Sequence, residues 1–345
     1  MQRTKQNNQS ILDFVLQHCG TIESLFDFME LNGMSSMDFP DGAYLIPAPA
    51  RARVISYYQS KGVVPASVSA AFSLAPDLYH PATTLYMHEI GIEDTEDVYY
   101  VSTEQEITGH EMWLAVDSFV LALVDAGHWE RMKAIYPFIG GSAAAHSINL
   151  KSPAQYNTTW HGGIVHDATG VKFGGVNGYG DPGFINPTNF NSASDCHVSV
   201  YSRADFPYKY ILGNGDPGST SGGILAAMSS SVCYYAVNSD NYGGTPINHA
   251  KGLLTLTRPN SANQAFYKRA IDQNVNHMEL RAVATVVPGK LYFGALNQNS
   301  GDVPGYYSEA HLSCVTIGDG LSEVQNQSLY EIIEAFQVAL NRGGI

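Results

Sequence analysis

Between about residue 162 and residue 296 the chain is a succession of short apolar or alternating runs. Each is closed by a cluster of Gly, Asn, Pro or Ser, and no helical period separates one run from the next. Gly162 to His166, His197 to Arg203, Tyr208 to Leu212, Ser231 to Val237, Gly252 to Arg258, Val283 to Val287 and Lys290 to Leu296 all read as strands. Parallel strands need long crossovers, usually helical, and none is present, so the pattern predicts an antiparallel two-sheet sandwich. Composition points the same way. With 33 Gly, 21 Tyr and 14 Phe against only 14% charged residues, the chain is β-rich and turn-rich, which excludes coiled coil and disorder.

The ends of the chain carry helical signals. Ile11, Leu12, Val15 and Leu16 line one face of a short helix that opens at Ser10 and stops at Gly20. Thr21 caps a second helix on Ile22, Leu25, Phe26 and Met29, ended by Asn32-Gly33, and Tyr44-Leu45-Ile46 reads as a strand cut off by Pro47. Residues 50–108 carry Pro65, Pro76 and Pro81 and read as a linker with short extended segments, among them His88 to Ile92 and Val98 to Val101. From His110 an amphipathic helix runs through Leu114, Val116, Phe119, Val120, Leu123 and Val124 to Gly127. A last helix on Leu321, Val324, Leu329, Ile332, Ile333, Phe336 and Leu340 is expected to pack on the sandwich.

Two stretches resemble known families. Residues 7–48, two short helices and a strand ending in Pro40 to Pro47, resemble the LysM module, in particular the LysM-like modules of phage tail and baseplate proteins. Where glycan-binding members open with Gly-Asp-Thr this chain has Asn8-Gln9-Ser10, and the module is expected to dock on another protein. Met132 to Ala143, Asn149 to Pro153, Gly175 to Asp181, His197 to Arg203, Leu291 to Asn297, Ile317 to Ser322 and Ala335 to Arg342 resemble the concanavalin A/laminin G-like jelly roll of tailed-bacteriophage structural proteins. The fold implied is α+β overall: a small LysM-like module at 1–49, the linker at 50–108, and a large all-β jelly-roll sandwich with flanking helices at 109–345.

Motifs that could carry chemistry fail on context. Gly213 to Gly218 satisfies G-x-G-x-x-G, but Pro217 lacks an N–H, Asp216 is negative and no helix follows, so a β-hairpin loop is expected. His110-Glu111 has Leu114 where a zincin would need its second histidine, leaving Glu111 as a first-turn helix residue. Ser219 and Ser221 lack a nucleophile elbow, so a hydrolase is the weakest of the readings. Trp160, His161, His166 and Asp167 cluster in sequence and are candidates for a glycan or cation site. Asp181, Asn186, Asn189, Asn191 and Asp195 could supply oxygen ligands, but their spacing matches no calcium loop. No catalytic, cofactor or metal residue is assigned.

The formal net charge of −14 repels phosphate backbones, so nucleic acid is not an expected partner. No window approaches 18 uninterrupted apolar residues and no secretory signal is recognisable, so membrane insertion is not expected. Cys19, Cys196, Cys233 and Cys314 lie far apart and read as free, buried thiols. The resemblances imply a non-enzymatic virion component of a tailed phage, assembled in the host cytoplasm. Its expected partners are other virion proteins and copies of itself, and the loops 174–195, 213–223 and 238–250 are expected either to contact a host-surface glycan or to pack on neighbouring subunits. The alternative is a free carbohydrate-binding protein.

Overall fold

A computed structural model describes residues 79–345 apart from 96–97, 103–104, 206–208, 216–222, 230, 287, 299–300 and 345, and, before them, residues 2–4, 14–15, 28–29, 31–32 and 43–45. The chain divides into two compact units, Met1–Leu78 and Tyr79–Ile345.

In the first unit Gln2–Thr4 pairs antiparallel with Ala43–Leu45, placing Arg3 opposite Tyr44. The polar N-terminus had offered no sign of that strand. Phe14 and Phe28 lie with ring centroids 5.6 Å apart and are fully buried together with Val15. Phe14 and Phe28 therefore offer no open apolar surface to a partner. Most of the LysM-like stretch, with Ile11 and Cys19, lies outside the described residues.

The second unit starts well before residue 109. Pro81–Glu89 (α1) is a helix, not an extended linker segment, and His88 to Ile92, expected as a strand, is its C-terminal end. Pro81 is compatible with it because the first helical position needs no N–H donor, and the His80 ring accepts from the Ala82 N–H at 3.2 Å. The helix is tied to Gly109–Asp125 (α2): Asp117 Oδ1 accepts from the His80 N–H at 2.7 Å and the Thr83 hydroxyl at 3.2 Å. A capping box starts α2, with Glu111 N–H donating to Thr108 Oγ1 at 3.1 Å and Thr108 N–H to Glu111 Oε2 at 2.8 Å. The first-turn role expected for Glu111 is thus realised.

The body is a β-sandwich. Its strands, in chain order, are β1 (Met132–Tyr136), β2 (Thr159–His161), β3 (Ile164–Asp167), β4 (Gly170–Phe173), β5 (Tyr179–Asp181), β6 (Cys196–Ser202), β7 (Lys209–Gly215), β8 (Gly223–Ser229), β9 (Val232–Ser239), β10 (Gly243–Pro246), β11 (Gly252–Arg258), β12 (Asn263–Arg269), β13 (Asn274–Leu280), β14 (Tyr292–Phe293), β15 (Leu296–Gln298), β16 (Val303–Gly305) and β17 (His311–Gly318). One sheet has eight strands in the order β13-β12-β11-β6-β17-β4-β3, with β1 also on β17. The other has nine, in the order β10-β9-β8-β7-β14-β5-β2, with β15 on β7 and β16 on β15. Only the β7–β15 pairing is parallel among these strands. Val198, Val200, Leu254, Leu256, Phe266 and Ile317 from the first sheet meet Leu212, Ile224, Tyr235, Val237 and Phe293 from the second in one core.

Local departures have local causes. Lys290 to Leu296, expected as one strand, is broken by Gly294 at φ +74°, where an added Cβ would stand 2.3 Å from the Phe173 ring. Val283-Ala284-Thr285 is irregular, not a strand. The hairpin β12–β13 carries no strong sequence signal and was not anticipated.

Besides the short helix Ala143–Ser147 (α3), a long helix, Glu323–Ala339 (α4), lies across the outer face of the eight-stranded sheet. It starts at a capping box between Ser322 and Gln325. Asn326 Nδ2 donates to Thr255 Oγ1 at 2.7 Å, and the Leu321 N–H donates to Thr257 Oγ1 at 2.8 Å. The Tyr201 hydroxyl donates to Glu334. Phe336 stacks on Phe119 of α2, centroids 4.4 Å apart and planes 17° apart, so the helix from one end of the unit is clamped by the helix from the other. Val324, expected on the packed stripe, is instead 79% exposed. No helix among the described residues is long and apolar enough to cross a membrane.

Candidate ligand-binding face

Strand alternation divides the sequence cluster at 160–167. On β2 the side chain of Trp160 turns inward onto Phe138 and Phe173, its indole N–H donating to Ala143 O at 2.9 Å. His166 lies against it edge-on at 4.9 Å and shares a 3.0 Å ring-nitrogen hydrogen bond with His146. Burial lowers both imidazoles, His146 to about 3 with help from His166 and Arg342, so the pair is neutral near pH 7. Asp167 is bound by Lys172 at 2.7 Å and by Thr169; these contacts outweigh its partial burial and hold its carboxyl down at about 2. Trp160, His166 and Asp167 are thus packing and ion-pair groups, and they do not form a common site with His161.

His161 points the other way, outward from the nine-stranded sheet. It sits opposite Tyr179 on β5, and the two rings stack 4.5 Å apart with planes 11° from parallel. Tyr179 in turn is 4.8 Å from the Tyr292 ring of β14 and 6.4 Å from Tyr307. Between Tyr179 and Asp181 stands Gly180, which faces inward. An added Cβ there would come within 2.6 Å of the Trp160 ring, so glycine is what lets these strands close up beneath the outward row.

A charged group borders the rings. Lys290 Nζ lies 3.1 Å from Asp181 Oδ2 and 3.3 Å from Asp302 Oδ2, and Asp181 Oδ1 accepts the Gly183 N–H at 2.8 Å. The two aspartates raise the lysine above its ordinary value. Burial, followed by the nearby aspartates, pushes the Tyr179 and Tyr292 hydroxyls up as well, so both remain protonated donors. Further along the same face Tyr210 packs with Tyr306, centroids 5.5 Å apart, and Tyr306 is 48% exposed. Tyr292 and Tyr210 are buried, so the accessible rings of this outer face are those of His161, Tyr179, Tyr306 and Tyr307, with donors and acceptors at their border. Such a surface can lie against the C–H face of a polyhydroxylated ligand and hydrogen-bond its edge.

The remaining candidates are dispersed. Asn186 is buried and donates to Asn214 at 3.1 Å and to Asn238 at 2.8 Å, an amide cluster inside the fold. Asn189 accepts from the Ile185 N–H at 2.6 Å, Asn191 bridges Lys133 and Asp319, and Asp195 accepts from the Gly320 N–H at 2.7 Å. Of the five oxygen-bearing residues only Asp181 reaches the tyrosine face, and no metal-binding cluster is found among the described residues. Asn214 and Gly215 end β7, which forms a hairpin with β8. The loop between them, with Ser219 and Ser221, lies outside the described residues. Cys196, Cys233 and Cys314 are buried and free, as expected.

Sequence reasoning missed Tyr179, Lys290, Tyr292, Asp302, Tyr306 and Tyr307. The one signal available was the period of two in Thr159-Trp160-His161 and Tyr179-Gly180-Asp181, which separates inward from outward positions.

No family model and no curated protein matches the chain. Solved structures with a partial likeness include the CBM40 of the Ruminococcus gnavus IT-sialidase bound to α2,3 sialyllactose, 10% identical over 39% of this chain and 80% of that one, TM-score 0.30. A leech intramolecular trans-sialidase is 10% identical over 43% of this chain and 24% of its own, TM-score 0.30. Rv0315 of Mycobacterium tuberculosis, described as an immunostimulatory antigen and pseudo β-1,3-glucanase, is 12% identical over 55% of this chain and 99% of its own, also at TM-score 0.30. Likenesses this slight carry no argument about ligand or activity.

Proposed function

We propose that this chain is a non-catalytic, carbohydrate-binding β-sandwich protein whose ligand lies on the outer face of the nine-stranded sheet. The observation that carries this reading is the outward His161–Tyr179 stack, backed by the buried Tyr292, continued by Tyr307 and bordered by Asp181, Lys290 and Asp302. Aromatic faces beside mixed hydrogen-bonding groups suit a neutral, hydroxyl-rich ligand, and the net charge of −14 disfavours an anionic one. The test is a glycan array with the full chain. Reproducible binding that Tyr179→Ala reduces at least about tenfold, the loss of roughly 1.4 kcal/mol, supports the reading. Silence across the array, or binding indifferent to Tyr179→Ala and to Asp302→Ala, refutes it.

A second reading supplies the setting: a structural component of a tailed-phage virion, with the jelly roll as body and the N-terminal unit as anchor. Its support is the ordered resemblance over residues 132–342 to phage structural proteins, together with the antiparallel pairing of Gln2–Thr4 with Ala43–Leu45, which closes the N-terminal unit on itself. In that setting the glycan is one on the host surface. Density for the chain in a cryo-EM map of a particle tests it, and assembly at full occupancy by a chain lacking residues 1–78 would remove the anchoring role.

A further inference from the structure

On the opposite side of the sandwich, where β13 and the start of α4 diverge, lies a pocket of about 510 Å³ lined by Arg269, Asn274, Asn276, Glu323, Gln327 and Glu331. That volume is within the range of small-molecule sites, roughly 300–1,000 Å³. Arg269 is 3% exposed and anchored by Nη1, which donates to Lys268 O at 3.1 Å and Val275 O at 3.0 Å, while its Nε has no hydrogen-bond partner. The guanidinium stands 5.5 Å from the centre of the Tyr267 ring, and the buried Tyr267 hydroxyl also lacks a partner. Of these two unsatisfied buried groups Arg269 lines the pocket, and a buried donor left without a partner is costly, a cost usually met by a ligand or ordered solvent.

We infer that this pocket is a second binding site, for a single neutral sugar residue or short neutral saccharide. The ligand class follows from its walls. One guanidinium faces two carboxylates, so an anion would meet Glu323 and Glu331 and a cation would meet Arg269. The vicinal hydroxyls of a neutral sugar both donate and accept, and can satisfy the amides of Asn274, Asn276 and Gln327 as well as the charged groups. Val324 adds an exposed apolar wall. Asn276 already donates to Glu323, and Gln327 Nε2 to Glu331 Oε1 at 2.9 Å, so the lining is held in place before a ligand arrives.

The inference shares its ligand class with the carbohydrate-binding reading above, but it rests on different residues, and one experiment separates the two. Saturation-transfer NMR and calorimetry are run on the full chain with glucose, galactose, mannose, N-acetylglucosamine and maltose. The variants are Asn276→Ala/Glu331→Ala, both exposed positions whose loss leaves the core intact, and Tyr179→Ala. The expected result is saturable binding of at least one saccharide that falls at least about tenfold in the double variant and is retained in Tyr179→Ala. Binding lost only in Tyr179→Ala overturns the pocket and leaves the tyrosine face standing. Binding that survives both variants, or no binding by any of the five, overturns the pocket outright.

Discussion

Replacing Phe336 by alanine tests how far the fold depends on the clamp between the two long helices. The side chain is 2% exposed and lies parallel to Phe119 at 4.4 Å. Truncating a buried phenylalanine costs about 3–5 kcal/mol through lost burial and the cavity left behind, of which the ring pair itself accounts for about 0.5–1.5 kcal/mol. In a unit of this size each kcal/mol moves the melting temperature by about 2–4 °C, so Phe336→Ala is expected to melt about 6–20 °C early. Val338, two residues away on the same helix and 57% exposed, is the control, and Val338→Ala should stay within about 2 °C of the parent. The assay is a near-ultraviolet circular-dichroism melt, repeated for Phe119→Ala and the double variant so that the coupling energy can be read directly. A shift for Phe336→Ala no larger than that for Val338→Ala, or additive losses with no coupling, would refute the clamp and make α4 a loosely attached tail.

Two further outcomes follow from buried ionisable groups. Burial holds His197 and His311 down to about 4 and His146 to about 3, against 6.5 for a free imidazole. The unfolded chain therefore takes up protons that the folded one refuses as pH drops below about 6.5. This stability is fully present above that value and declines toward pH 4, so the melting temperature should fall by several degrees between pH 7 and 4.5, and a flat profile contradicts the burial argument. Burial likewise pushes the Cys196 and Cys314 thiols up to about 12 and Cys233 in the same direction. At pH 8 no more than one thiol per native chain should react with Ellman's reagent, with all four reacting after denaturation, and two or more fast thiols in the native protein would disprove it.

The strands of the sandwich were legible because their inward positions are strongly apolar. Val198 and Val200, or Leu254 and Leu256, alternate with polar residues as a half-buried strand should. The same alternation misleads about the other face. Ser199, Thr255, Thr257 and Thr316 read as solvent-facing, yet all are fully buried. α4 and the residue leading into it lie over Thr255 and Thr257, bonded through Asn326 and Leu321, and nothing local in a strand announces a helix that follows some 60–70 residues later. Pro81 was misleading for a different reason: a proline breaks a helix interior but suits its first turn, and without the His80 cap and Asp117 beneath it the two cases look alike.

The site was less legible than the fold for a reason built into β-structure. Neighbours in a strand point to opposite faces, so a sequence cluster such as Trp160, His161 and His166 mixes two environments by construction. His161 meets Tyr179, 18 residues on, and Tyr179 in turn lies near Tyr307, from a turn much further along the chain. The two faces of the sandwich then acquire different tasks from one pattern. Where Ser and Thr hydroxyls line the eight-stranded sheet, a helix can lie close and be held by side-chain hydrogen bonds, as Asn326 and Leu321 are. Where tyrosines and a histidine line the nine-stranded sheet, the rings stack on one another and offer area at little conformational cost, which is the property a recognition surface needs. The small hydroxyl residues on one outer face thus serve the seating of a helix, and the aromatic ones on the other are where the proposed carbohydrate contact rests.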